Sequence, residues 1–284
     1  MKKLVLIALA ALIGFSANAA SLKAETIQDQ GLTRTYYMYI PDNLPAGAPL
    51  MFILHGYGGS ANGYLTGYYK LAEEFGFALC YPQSTVDPDG KNGWNVSYPW
   101  QIGTMKVDDC QFILNLKAAL IQKYGFSSKN VFFTGNSNGG EMCYQMAMRF
   151  PNEFAAIASM YGLIVMELLK HYDFTVPVNF LELHGTGDTT SRWVGDPTNK
   201  YGWGAYMAVP LAVGCVVAVN KCTVEETEVL PIIKNKVTKH SYKGSPYGKE
   251  VIFYEVQNGG HGMASDSFDS YRAVFEFFNS HKQN

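Results

Sequence analysis

The sequence predicts an α/β fold in which helices cover both faces of a mostly parallel central sheet. Eight short runs have the length and the apolar or alternating pattern of strands. Segments with helical periodicity lie between several of them, and parallel strands need such crossovers. No Pro/Gly/Ser linker or block of charge divides the 284 residues, so we expect a single domain.

The predicted strands and helices follow from local patterns. The strands are residues 35–40, 50–54, 77–81, 131–134, 155–160, 178–184, 237–242 and 251–256, and the helices are residues 107–124, 139–149, 209–219 and 267–279. Short polar turns join the early strands, which are expected to form an antiparallel edge. Asp108 and Asp109 open one helix, where negative charge complements the helix dipole.

The first residues have the pattern of a secretory signal. Lys2 and Lys3 precede an apolar run over residues 4–15, and small residues continue to Ala19. The alternative is a short membrane anchor, but the run is shorter than the ~20 residues that cross a bilayer. We therefore expect a signal peptide over residues 1–19, a mature domain over residues 20–284, and a secreted or periplasmic protein.

Charge and cysteine content exclude several kinds of partner. The net charge is −2 and no basic run occurs, so the sequence predicts no nucleic-acid partner and no membrane association after signal removal. The cysteine count is odd, which leaves at least one thiol without an intramolecular partner. Their spacing matches no zinc site, and their pairing stays open. The cysteines are Cys80, Cys110, Cys143, Cys215 and Cys222.

A candidate nucleophile lies between a predicted strand and a predicted helix. Residues 135–140 read Gly-Asn-Ser-Asn-Gly-Gly, which places Ser137 on a tight bend where flanking side chains would collide with neighbouring elements. A plain helix-capping serine is the alternative. The helix N-terminus favours negative charge near the Asn138 N–H. A second oxyanion donor is expected from the loop after residues 50–54, with Tyr57 preferred over Gly58.

Two further strand ends supply a base and an acid. His261 follows the strand 251–256 in a glycine-rich loop, and Asp188 follows the strand 178–184. The order Ser137, Asp188, His261 is that of α/β-hydrolases. Competing acids are Asp173, Asp196 and Asp266. Of the other histidines, His171, His240 and His281 are expected to be structural or exposed. His55 and His184 end strands next to other motifs, and His55 is expected to shape its loop.

Together these motifs resemble secreted esterases related to polyhydroxybutyrate depolymerases and to the feruloyl and acetylxylan esterases of carbohydrate esterase family 1. The matching segments are residues 55–59, 107–109, 135–140, 184–188, 220–222 and 259–261. The resemblance implies an α/β-hydrolase fold with Ser137, Asp188 and His261 as a catalytic triad. It also implies an oxyanion hole from the backbone N–H groups of Tyr57 and Asn138, and no metal or organic cofactor.

The substrate expectation rests on aromatic residues near these motifs. Residues 189–196, which come directly after the acid, depart from the family pattern and include Trp193. Trp203 also comes after the acid, and Trp100 lies in an aromatic-rich loop. Such rings suit a planar acyl group or a sugar, although they could also pack loops onto the core. We expect a feruloyl esterase whose partner is feruloylated or acetylated plant polysaccharide. The alternatives are an acetylxylan esterase, a polyester depolymerase, a peptidase or acyl transferase, and a non-catalytic carbohydrate-binding protein.

Overall fold

The computed structural model describes residues 22–63, 67–231, 235–262 and 268–284, so the predicted signal peptide lies outside the described residues. The strands are β1 (Lys23–Asp29), β2 (Leu32–Tyr39), β3 (Leu50–Leu54), β4 (Ala78–Pro82), β5 (Val131–Asn136), β6 (Ala156–Met160), β7 (Phe180–Gly185), β8 (Val224–Leu230), β9 (Val237–Lys243) and β10 (Val251–Val256). The helices are α1 (Tyr69–Phe75), α2 (Asp109–Tyr124), α3 (Asn138–Arg149), α4 (Val209–Asn220) and α5 (Ser270–Ser280).

All these strands form one sheet in the order β1-β2-β4-β3-β5-β6-β7-β10-β9-β8. The six central strands, from β4 to β10, are parallel. β1 and β2 add an antiparallel edge on one side, which confirms the expected early edge. β9, which matches the predicted strand 237–242, pairs with β8 to add a second antiparallel edge, and the sequence patterns predicted neither β8 nor this edge. The α/β-hydrolase fold with a single domain is therefore confirmed.

The central strands are continuous apolar runs because both of their faces are buried. On β3, alternate residues pack into the two hydrophobic cores on opposite faces of the sheet. Leu50, Phe52 and Leu54 pack in the core that includes α2, α3 and α4. Met51 and Ile53 face the core that includes α1 and α5. The two cores fix the sheet between helix layers and leave its carboxyl edge free to carry loops.

Three elements escaped sequence prediction for physical reasons. β1 and β8 have few buried residues, and β8 is exposed along six of its seven positions, so neither has an apolar face to signal a strand. Their pairing with β2 and β9 makes them strands. α1 has only seven residues, too few for periodicity to stand out. The predicted start of the last helix at residue 267 lies outside the described residues, and α5 begins at Ser270.

The two acids at the start of α2 have different roles. Asp108 is the N-cap and accepts a hydrogen bond from the Gln111 N–H at 3.1 Å, as expected for a charge at that position. Asp109 is instead buried, and its Oδ1 lies 2.7 Å from Nη2 of the buried Arg34 on β2. The ion pair joins the antiparallel edge to α2, and removal of one partner would leave an uncompensated buried charge.

Candidate active site

Three strand ends bring the predicted nucleophile, acid and base together. β5 leads into Ser137, β7 into Asp188 and β10 into His261. His261 Nε2 lies 3.0 Å from Ser137 Oγ, and His261 Nδ1 lies 2.7 Å from Asp188 Oδ2. These distances are those of hydrogen bonds. The arrangement is a continuous path for proton transfer from a serine hydroxyl to an imidazole held by a carboxylate.

The backbone at Ser137 is strained by the turn from β5 into α3. Its φ of 54° and ψ of −118° lie in a region that side chains with a Cβ rarely adopt. A Cβ on Gly135 would lie 2.5 Å from the Gly139 carbonyl carbon, and one on Gly139 would lie 2.7 Å from the Leu54 oxygen. Glycine is therefore required at both flanking positions. The Ser137 side chain makes no capping hydrogen bond, which removes the alternative of a simple capping serine.

Two backbone donors near the serine are without an acceptor in the described part of the chain. They are the N–H groups of Asn138, the first residue of α3, and Tyr57. The Gly58 N–H, the other sequence candidate, already donates to the Asn92 oxygen at 2.7 Å. Asn138 itself is fixed because its side-chain oxygen accepts from the Trp94 N–H at 2.7 Å. The structure thus leaves Tyr57 and Asn138 available to a developing oxyanion.

Asp188 is held as an anion beside the histidine. Its side chain is buried, and Oδ1 accepts from the Thr190 N–H at 2.8 Å and the Ser191 N–H at 2.9 Å. Burial acts to raise the pKa of Asp188, but hydrogen bonds from His184 and His261 outweigh it and lower the pKa well below the ordinary value. The ionised carboxylate can therefore fix the orientation of the His261 ring.

The competing acids lie elsewhere. Asp196 holds its own loop by accepting from the N–H groups of Lys200 and Tyr201, both at 2.9 Å. Asp173 is exposed, and Asp266 lies outside the described residues.

A second histidine, which the sequence analysis placed at a strand end without giving it a role, lies behind Asp188. His184 is fully buried, with Nδ1 2.9 Å from Glu182 Oε1 and Nε2 2.8 Å from the Ser191 oxygen. Its Nε2 also lies 3.5 Å from Asp188 Oδ2. Both ring nitrogens face oxygen atoms that can accept hydrogen bonds, an arrangement that suits a doubly protonated imidazolium.

The pKa of His184 is raised although the ring is buried. Burial acts to lower the pKa of His184, but hydrogen bonds with Asp188 and Glu182 outweigh it and raise the pKa to about 9. The sequence did carry a signal for this pair. Glu182 interrupts an otherwise apolar strand, and His184 follows two residues later on the same face of β7. A buried charge in such a run needs a partner.

His55 shapes its loop, as expected. The ring is buried, with Nδ1 2.8 Å from the Gly56 oxygen. Its Nε2 accepts from the Ser84 N–H at 3.2 Å. Burial lowers the pKa of His55, which keeps the ring neutral and able to accept.

A cavity of about 260 Å³ opens beside Ser137 and His261. Its other lining residues are Tyr57, Tyr98, Glu141, Leu163, Thr190, Ser191 and Trp203. Trp203 therefore lies in the wall, whereas Trp193 and Trp100 are not among the lining residues. Trp193 stacks on Phe253 with ring centroids 5.7 Å apart, and Trp100 donates from Nε1 to Asp87 Oδ2 at 2.6 Å. Trp193 and Trp100 therefore make contacts of the kind expected for rings that pack loops onto the core, which was the alternative to substrate binding.

Glu141 is a cavity residue that sequence reasoning missed. Its side chain is 4% exposed, and its Oε2 accepts hydrogen bonds from the Tyr98 hydroxyl and from Asn138 Nδ2. Burial raises the pKa of Glu141 to about 7, against the opposing effect of those hydrogen bonds. The sequence offered a signal for Glu141, because it lies four residues after Ser137, in the first turn of α3.

Other chemistry is not assembled in the described residues. No group of three or more His, Cys, Asp or Glu side chains there is arranged to hold a metal ion. All five cysteines have free thiols. No helix in that part of the chain is both long and apolar enough to cross a bilayer.

Comparison with known proteins places this chain in a family. The model of the family described as "Esterase PHB depolymerase" matches residues 34–176, half of the chain. Acetylxylan esterase A of Talaromyces purpureogenus is 35% identical over 128 residues, which cover 44% of this chain and 32% of that protein. Feruloyl esterase B of Thermothelomyces thermophilus is 30% identical over 158 residues, 53% of each chain. The chain spans about a third of the length of the first curated relatives that it matches.

Solved structures share the fold. An acetyl xylan esterase from Aspergillus awamori superposes with a TM-score of 0.64 and 24% identity, covering 90% of this chain and 99% of that one. An S-formylglutathione hydrolase from Agrobacterium tumefaciens gives a TM-score of 0.57 and 15% identity, with 94% and 96% covered. With its fold, its strand-end site and the family match over half its length, the chain belongs to the Esterase PHB depolymerase family of α/β-hydrolases.

Proposed function

We propose that this protein is a secreted serine esterase that releases hydroxycinnamoyl groups, such as feruloyl, from plant cell-wall polysaccharide. The observation that carries the proposal is the hydrogen-bonded series Ser137, His261, Asp188 beside a cavity with aromatic walls. The family membership and the names of the fungal relatives support an ester substrate on a polysaccharide. The predicted signal peptide over residues 1–19 supports export to such a substrate.

In the proposed reaction, Ser137 Oγ bonds to the ester carbonyl carbon while His261 Nε2 takes the serine proton. The carbonyl oxygen becomes an oxyanion and accepts hydrogen bonds from the Tyr57 and Asn138 N–H groups. The ester C–O bond then breaks, and His261 gives its proton to the departing sugar oxygen. Water attacks the acyl-enzyme, His261 takes the water proton and returns it to Ser137, and the free acid leaves.

The second candidate is removal of acetyl groups from xylan, since several relatives bear that name. The cavity argues for the larger acyl group. An acetyl group would leave most of the 260 Å³ unfilled and would forfeit contact with the aromatic walls. A hydroxycinnamoyl group is flat and can lie against Tyr57, Tyr98 and Trp203.

Initial rates on methyl ferulate, acetylated xylan, a short polyester and p-nitrophenyl acetate test the proposal. We expect the highest kcat/KM on methyl ferulate, and loss of activity on every ester in Ser137→Ala. Faster turnover of acetylated xylan would transfer the assignment to the second candidate. An activated phosphonate separates enzyme from binding protein: we expect stoichiometric labelling at Ser137, and no labelling of folded protein would overturn the esterase assignment.

A further inference from the structure

We propose that Glu141 determines acyl specificity by binding a phenolic hydroxyl of the acyl group through its free carboxyl oxygen. This inference rests on the proposed esterase function and deepens it. It assigns the cavity to hydroxylated aromatic acyl groups and gives one residue the task of selecting them.

Glu141 is placed next to the nucleophile by the helix itself. The Glu141 backbone N–H donates to the backbone carbonyl oxygen of Ser137 at 2.9 Å, so Glu141 lies one helical turn after Ser137. Both line the same cavity, so an acyl group bonded to Ser137 extends into the space that the Glu141 carboxyl borders.

One carboxyl oxygen of Glu141 is occupied and the other is available. Oε2 accepts from the Tyr98 hydroxyl and from Asn138 Nδ2. No donor in the described part of the chain lies within hydrogen-bond distance of Oε1. This oxygen is not one of the solvent-inaccessible side-chain atoms that lack a hydrogen-bond partner. Since the residue is 4% exposed and lines the cavity, Oε1 has its opening there.

The surroundings of Glu141 suit an aromatic ring that ends in a hydroxyl. Tyr57, Tyr98 and Trp203 form an aromatic group, with centroids 5.4 Å apart for Tyr57 and Trp203 and 5.5 Å for Tyr98 and Trp203. A hydroxyl donor would satisfy Oε1. An unsubstituted ring would displace water from Oε1 and leave it unpaired, a penalty that sites built for a hydroxyl use to reject analogues.

The simpler role for Glu141 is structural, since it already holds Tyr98 and Asn138. The two roles differ in what they predict. A bracing residue affects every ester by a similar factor, because it acts on the shape of the site. A residue that binds the hydroxyl affects only esters that carry one. The ratio of two substrates therefore separates the roles, whatever the absolute rates.

The test measures kcat/KM for methyl 4-hydroxycinnamate, methyl cinnamate and methyl 4-methoxycinnamate. We expect the wild type to favour the hydroxylated ester by about tenfold or more over the other two. In Glu141→Met, which keeps the length but removes the acceptor, the preference should fall to about twofold or less. Glu141→Gln, which retains an oxygen, should restore part of it. Glu153→Gln, an exposed acid removed from the cavity, should keep the wild-type ratio.

Equal losses on all three esters in Glu141→Met, or no hydroxyl preference in the wild type, would overturn the inference. Phosphonate labelling of Ser137 decides the esterase function separately, so the two failures are distinguishable. If no cinnamate ester is turned over, calorimetry on Ser137→Ala gives the same ratio as binding constants. If Glu141→Met does not fold by circular dichroism, Glu141→Gln and Tyr98→Phe, each expected to reduce the preference, replace it.

Discussion

His184 Nε2 lies 3.5 Å from Asp188 Oδ2, the same oxygen that accepts from His261 Nδ1 at 2.7 Å. The carboxylate of the proposed triad thus faces two imidazole rings. One ring belongs to the exposed His261, the proposed base, and the other is the buried His184 ring, whose opposite nitrogen lies 2.9 Å from Glu182. The buried ring stabilises the negative charge of Asp188, so we expect His184 to act as a positioning residue for the proposed triad.

We predict that His184→Gln lowers kcat/KM by about 10- to 100-fold. A glutamine has no positive charge, and hydrogen bonds to charged groups contribute about 1.5–3 kcal/mol, with 1.4 kcal/mol per tenfold in rate. Kinetics on p-nitrophenyl acetate across pH 5–9 would measure the effect and any shift of the profile. His171→Gln, a change at an exposed histidine, is the control. Activity within twofold of the wild type and an unchanged profile would contradict the assigned role.

Stability should depend on pH through His184. Its pKa in the folded protein is raised to about 9, above the ordinary value of ~6.5 for an unfolded chain. The stabilisation is therefore complete below pH ~6.5 and is lost as pH rises through about 9. Urea unfolding should show a loss of up to about 3 kcal/mol over that range. The same curve for His184→Gln should be flatter, and parallel curves would refute the assignment.

The bend at Ser137 should tolerate no side chain at Gly135. We expect Gly135→Ala to lower the free energy of unfolding by at least about 2 kcal/mol and to abolish activity, because its Cβ would press on the Gly139 backbone. Gly214→Ala is the matched control. It lies in α4 with nothing within 4 Å of the added Cβ, and should stabilise by about 0.5–1 kcal/mol. Urea midpoints measure both, and equal midpoints would show that the bend is not tight.

Asp87 should support the proposed oxyanion hole indirectly, by holding the side chain of Tyr57. Its Oδ2 accepts from the Tyr57 hydroxyl at 2.8 Å and from Trp100 Nε1 at 2.6 Å. The first of these bonds anchors the ring of Tyr57, whose backbone N–H faces the oxyanion in our proposal. We expect Asp87→Ala to lower kcat about tenfold with a smaller change in KM, since the donor acts mainly in the transition state. Steady-state kinetics against Asp89→Ala, an exposed acid two residues away, test this. A change confined to KM would count against it.

The proposed triad could be predicted from sequence because each member follows a strand, and parallel strands bring their ends to one edge. Glycines mark the loops around Ser137 and His261, and they reflect backbone geometry that only glycine accepts at Gly135 and Gly139. The role of Glu141 was not predicted because it depends on burial and on a partner distant in sequence, and that of His184 was not predicted because it depends on the burial of a charged group. Tyr98 lies 43 residues from Glu141, and no local pattern reports such a contact.

The sequence alone determined the alternation of strands and helices, the bend at Ser137 and the order of serine, acid and base, since these follow from local sterics and hydrophobic periodicity. Only the tertiary structure decided that β9 and β8 form a second antiparallel edge, and that Trp203 rather than Trp100 or Trp193 reaches the cavity. It also decided that Glu182, His184 and Glu141 carry buried polar groups beside the site. The reason is physical: edge pairing, ring packing and the charge of a buried group depend on which distant residues fold around it, and periodicity does not encode that environment.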